Sequence, residues 1–193
     1  MRVAGIDTQL ETRVLERVDA GDVGGAATLA LRGYGPQILG YLTAVLRSED
    51  RAADAFALFS EHLWQGLATF RRASSIRTWA YKLAVHAAVD ITRDASRHKA
   101  DPLASALASG IADEVRTETA AHLRTENKTA VQKLREELTM DEQTLLILRI
   151  DRGLEWEEVA DALDVESPTL RKRFERIKEK LRDLARERGV GSS

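Results

Sequence analysis

Two groups of cations carry the chemistry this sequence can do. Between Arg71 and Lys99 the bases Arg71, Arg72, Arg77, Lys82, Arg93, Arg97 and Lys99 face only Asp90 and Asp94, and a second basic run lies between Arg171 and Arg188. Guanidinium and ammonium groups gathered in this way hold phosphate, because each can pair with its oxygens and displace the counterions condensed on a nucleic-acid backbone. The chain as a whole carries a net charge of −2, so any such footprint is local rather than global. A solvated helix face is the alternative for either run, and charge alone does not separate the two.

Other chemistry is thinly represented. There is no cysteine among the 193 residues, which removes disulfides, thiolate catalysis and cysteine-held zinc together and fits a reducing compartment. His62, His86, His98 and His122 do not fall at a metal-ligand spacing, and each reads better as a packed or solvated side chain. Neither a glycine-rich phosphate loop nor a histidine-centred nucleophile motif occurs. The expectation is a binding protein with no catalytic residue, metal or cofactor. The N-terminus MRVAGIDTQLETR lacks the apolar stretch of a secretory signal and nowhere do eighteen apolar residues run together, so a soluble, cytoplasmic chain is expected.

The elements that must position these cations are helices. Alanine, leucine, arginine and glutamate dominate, and only three prolines interrupt the chain, which predicts an all-α protein. Apolar residues recur at helical spacing from Val14 to about His98, with breaks expected at Gly24-Gly25, at Gly33 to Pro36 and around Arg71 to Ser75. This is a first small helical domain, 10–100. Pro102 and the alanine- and serine-rich stretch after it have no strong stripe, so 101–124 reads as a connector, partly helical. A second helical domain, 125–188, shows stripes at Val131, Leu134 and Leu138, at Leu145, Leu146 and Leu148, and at Trp156, Val159, Ala160 and Leu163.

The last helix has the clearest pattern. Leu170, Phe174, Ile177, Leu181 and Leu184 repeat at spacings of four and three among charges. Ser167 suits the capping position and Pro168 the first helical one. The short turn Leu163 to Glu166 joins this helix to the one before, a helix-turn-helix. Ser167, Thr169, Arg171, Lys172, Arg173 and Arg176 cluster near its start, where a recognition helix enters the major groove. Glu155, Glu157, Glu158 and Asp161 before it would repel a DNA backbone and are expected to point away from DNA, to water more readily than to a protein partner.

At these residues a family likeness becomes visible. The segment Leu138 to Leu184 resembles sigma region 4, which reads the minus-thirty-five promoter element. Ser75 to Lys99 resembles sigma regions 2.3 and 2.4, with Trp79, Leu83, Ala84, Asp90 and Arg93 at the family's positions. His86 stands where the family has asparagine, which puts the minus-ten base preference in doubt. The resemblance is to the extracytoplasmic-function sigma factors of the sigma-70 family. It implies two helical domains, a region 2 bundle and a region 4 helix-turn-helix, joined by a linker. It further implies that Arg71, Arg72, Ser74, Ser75, Arg77, Lys82, His86, Arg93 and Arg97 bind the minus-ten element, partly as a single strand. Trp79, with Leu83 one turn on, reads as core packing more readily than as a stacking platform.

The family's region 2.2, whose acidic and polar face docks on polymerase, aligns with Ala52 to Trp64. Asp54 is kept, but Ala53, Ala57 and Leu58 replace residues that are usually charged or polar. Asp54, Ala57, Leu58 and Glu61 are the expected docking positions, on a face that has lost much of its charge. Ser60 lies in the same segment. A phosphate there, adding about −1.5 to −2 charge, would restore a negative surface, and the family includes members of this kind controlled by serine/threonine kinases. Thr69, Ser74 and Ser75 are competing acceptors. The partners implied are core RNA polymerase and promoter DNA, double- and single-stranded, with a Ser/Thr kinase and an anti-sigma factor as further candidates. A stand-alone helix-turn-helix regulator is the alternative function, although it leaves the first domain without a task.

Overall fold

The computed structural model describes residues 8–93, 102–123 and 130–188. The elements are α1 (Thr8–Asp19), α2 (Val23–Leu46), α3 (Glu49–Gly66), a 3-10 turn (Leu67–Thr69), α4 (Ile76–Arg93), α5 (Pro102–Leu123), α6 (Ala130–Arg135), α7 (Met140–Leu146), a wide π turn (Ile147–Asp151), α8 (Trp156–Leu163) and α9 (Ser167–Glu187). Every regular element among the described residues is helical. The chain divides between 124 and 125 into two compact units.

In the first unit α2 runs unbroken through both places where a break was expected. Asp22 caps its start, accepting from Gly25 N at 2.9 Å, so the Gly24-Gly25 pair falls inside the first turn. Pro36 lies on the exposed side of the helix, where the carbonyl it displaces can turn to water. The glycines serve helix contacts rather than a turn. A Cβ on Gly33 would collide with Leu10 of α1, and one on Gly35 would stand 3.0 Å from Val115 of α5 and 3.2 Å from Phe56 of α3. Around α2 and α3 the core closes with Leu31, Ile38, Leu42, Phe56, Leu63 and Tyr81, all essentially inaccessible. Truncating one of these to alanine costs about 2–5 kcal/mol, through lost transfer energy and the cavity left behind.

The connector expectation is corrected. Residues 102–123 form a helix that belongs to the first unit and turns Ala108, Ala112, Val115 and Thr119 inward. Glu114 on its edge accepts two hydrogen bonds from Arg32 of α2, at 2.9 and 3.1 Å. Such small inward residues bury little area each, which is why the stripe was faint.

The second unit is built on capped, short helices. Thr139 and Glu142 reciprocate at the start of α7: Glu142 N donates to Thr139 Oγ1 at 3.3 Å and Thr139 N to Glu142 Oε2 at 2.8 Å, a capping box. Arg135 clamps Asp151 through two bonds of 2.7 and 3.0 Å, tying α6 to the π turn. The chain leaves α8 through Asp164, whose φ of 51° is left-handed without being glycine. The α9 start is one residue earlier than expected. Glu166 occupies the capping position and Ser167 is already helical, with Pro168 in the first turn.

Candidate nucleic-acid interface

In the first unit a loop, 70–75, leads into α4, and the start of α4 is held from two sides. Ser75 Oγ accepts from Thr78 N at 3.0 Å, and Glu11 of α1 accepts from Ile76 N at 2.5 Å while its other oxygen accepts from Tyr34 Oη at 2.9 Å. Two amides that a helix start leaves without a backbone partner are thereby satisfied. Ser75, expected as a DNA contact, is thus occupied in capping the helix. At Arg72, φ is 57°, and its guanidinium donates to the carboxylate of Asp19 at the end of α1.

Beyond the loop, one face of α4 continues the surface. At 3.6 residues per turn, Trp79, Lys82, His86, Asp90 and Arg93 fall within about 80° of one another, and all are exposed or half-buried. Trp79 rests on Gly66 and on the Phe70 ring, 5.0 Å away between centroids. It is a half-buried shelf beside the loop. Arg77 is a correction: it lies on the opposite side of α4, only 3% exposed, with its guanidinium 5.9 Å from the centre of the Tyr81 ring. A cation so enclosed cannot reach a backbone phosphate. Arg71 is exposed and Ser74 half-buried, while Arg97 lies outside the described residues.

Along α3, Asp54 and Ala57 are exposed and Glu61 is half-buried, one turn apart each. Leu58 does not join this stripe, being 6% exposed; a leucine there gains more from packing than the polar residue of the family pattern would. Ser60 is fully buried, its hydroxyl donating to Phe56 O at 2.7 Å. It is no surface acceptor in this fold.

In the second unit the cations of α9 separate into two sets. Thr169, Lys172, Arg173 and Arg176 are exposed and fall within about 100° of one another. Arg171 lies on the flank, 3.6 Å from Glu157 of α8 and 5.1 Å above the centre of the Trp156 ring. Arg149 stands 5.2 Å from the same ring, and Phe174 meets it edge-on at 5.4 Å. Ser167 Oγ accepts from Arg171 Nε at 3.4 Å and donates to Glu157 at 3.5 Å. Glu157, expected to point away from DNA, therefore helps fix α9 on α8. The remaining face of α9 is a compact cationic stripe, supported from behind by Leu170, Phe174 and Ile177.

Glu11, Asp19 and Phe70 were not singled out by the sequence, and Trp156 was read only as part of an apolar stripe. Glu11 acts on a residue 65 positions away and Arg72 lies 53 from Asp19, so no local spacing could have revealed either pairing. No group of three or more metal-ligating side chains is found among the described residues. None of the described helices is long and apolar enough to cross a membrane.

Residues 30–98 match the family Sigma-70 region 2, from α2 through α4 and the loop between α3 and α4. The chain is also 26% identical over 175 residues to the RNA polymerase sigma-H factor of Pseudomonas aeruginosa, covering 88% of this chain and 90% of that protein.

Proposed function

We propose that this chain is a member of the sigma-70 family, as the match of residues 30–98 to Sigma-70 region 2 supports, and an alternative sigma factor of the extracytoplasmic-function type, directing core RNA polymerase to particular promoters. The observation that carries the reading is the surface running from Arg71 and Phe70 over Trp79 to Lys82, His86 and Arg93. It combines cations with an aromatic shelf, the pairing that a single strand needs once its bases leave the duplex stack. The stripe Thr169, Lys172, Arg173 and Arg176 reads the upstream element as duplex. No residue of the chain has to perform chemistry, because bond formation belongs to the polymerase.

The test is to add the chain to core polymerase and map thymines reactive to permanganate on a library of duplex fragments. Opened bases that depend on both components support a sigma factor. Retention of duplex by the chain alone, with nothing opened, is the signature of a stand-alone regulator.

Docking on polymerase falls to the stripe Asp54, Ala57 and Glu61, where only two carboxylates remain. Fewer charges give slower association and weaker affinity. Phosphorylation near this stripe is the complementary proposal, and the buried hydroxyl of Ser60 moves it to Thr69, which is exposed in the turn after α3. Thr69→Asp raises affinity for core polymerase in this scheme, Thr69→Ala abolishes activation by a Ser/Thr kinase, and Ser60→Ala leaves activation intact. An anti-sigma factor would compete for the same α3 and α4 faces, so a co-purifying chain released by core polymerase is its signature.

A further inference from the structure

We propose that Asp19 is a built-in competitor for the single strand: in the DNA-free protein it occupies the Arg72 guanidinium, and a backbone phosphate displaces it. The inference rests on the reading of loop 70–75 as part of the strand-binding surface and adds α1, which lies before the stretch matched by region 2, to that surface.

Three observations converge on it. Arg72 lies within the loop in the left-handed region, a conformation that a side chain with a Cβ rarely adopts and that surrounding structure must enforce. Its partner is a carboxylate, the protein group closest in charge and acceptor geometry to a phosphate oxygen pair. Asp19 is also badly placed for the helix that bears it. As the last residue of α1 it puts a negative charge at the negative end of the helix dipole, so helix stability does not account for it.

The pairing is also weak enough to exchange. The two side chains are 48% and 61% exposed, where solvent screens an ion pair and a phosphate can approach without desolvating either partner deeply. Meanwhile Glu11 holds the other end of the loop at Ile76 N, so the loop keeps its stance when Asp19 lets go. The device sets a threshold: a strand must offer a phosphate at Arg72 before that cation contributes. Strands held in the wrong register gain nothing from it.

The experiment measures binding of a fluorescein-labelled 12-nucleotide single-stranded DNA of mixed sequence to the full chain across a range of salt concentrations. Mixed sequence is adequate because a phosphate contact is blind to base identity. Asp19→Asn keeps the shape and removes the charge. It is expected to tighten binding about two- to fivefold, the range an exposed ion pair can withhold, and to steepen the logarithmic salt dependence by about 0.7, one additional phosphate contact on a single strand. Arg72→Ala is expected to weaken binding, and in the double variant Asp19→Asn should have no further effect. A merely structural Asp19 predicts the opposite sign for the single variant, a loss of affinity that accompanies a lowered melting temperature. That result, or an unchanged salt slope, overturns the inference while leaving the sigma reading intact. Absence of single-strand binding by the unsubstituted chain overturns the inference and the reading of the loop together.

Discussion

At the scale of single residues, exposure and helical phase divide the cations more sharply than charge does. Arg77 and Arg173 carry the same guanidinium, yet one is enclosed against Tyr81 and the other stands on an open stripe of α9. Arg173→Ala should therefore weaken duplex binding at the upstream element by roughly 1–3 kcal/mol if it touches a base edge. If it touches only phosphate, binding should fall evenly across sequences and the salt slope should drop by about 1. Footprinting with a salt titration separates the two, and an unchanged footprint would exclude Arg173 from the groove face. Arg77→Ala should leave the salt slope as it was and lower the melting temperature instead. The side chains on either side of Trp156 follow the same logic: Arg171 is tied to Glu157 and the indole, so its loss should loosen α8 from α9 before it alters any base preference.

At the scale of elements, the ends of helices carry much of the specification. Glu142 is the instructive case. Partial burial acts to raise its pKa, but hydrogen bonds from Lys180 and Thr139 prevail and hold it below the ordinary glutamate value. A carboxyl held down in the folded state stabilises above its unfolded pKa, and that contribution disappears as pH falls through the folded value. The second unit should thus lose stability on acidification below the ordinary glutamate range. Glu142→Gln should flatten that part of the curve, which urea melts at several pH values would show; an unaltered pH dependence would assign the loss to other carboxylates. For α5, Val115→Asp places a charge against Gly35 and Phe56 and should destabilise the first unit by several kcal/mol. A change within about 0.5 kcal/mol would mean that α5 is not packed there.

These elements also show what a sequence can disclose. The all-helical class and the stripe of α9 were legible because large apolar residues recur at spacings of three and four, a signal that burial itself imposes. The π turn and the continuity of α2 were not, since glycine and proline punctuate loops in general and only tertiary contact decided that Gly33 and Gly35 sit beneath crossing helices. The inward face of α5 stayed faint because alanine marks a buried stripe and an exposed helix equally well. At the candidate interface, residue type identified Lys82, His86, Arg93, Lys172 and Arg173 as cations or donors on exposed faces. The duties of Ser75, Arg77 and Ser60 in capping and packing depended on partners that no spacing reveals.

At the scale of the whole molecule, the proposed reading distributes two kinds of DNA surface over two independently cored units. One combines a loop, an aromatic shelf and the cations of α4; the other is a single helix face set on a short turn. In the proposed reading both surfaces act through core RNA polymerase, so the activity is read in the presence of that enzyme. The most direct measurement is permanganate reactivity of duplex promoter fragments incubated with core RNA polymerase, with and without this chain. The account predicts opened bases around the minus-ten position only when both are present, and loss of that opening in Trp79→Ala and Arg71→Ala chains that still associate with polymerase. A chain that fails to associate with core polymerase, or that binds duplex tightly by itself while every base stays protected, would contradict it.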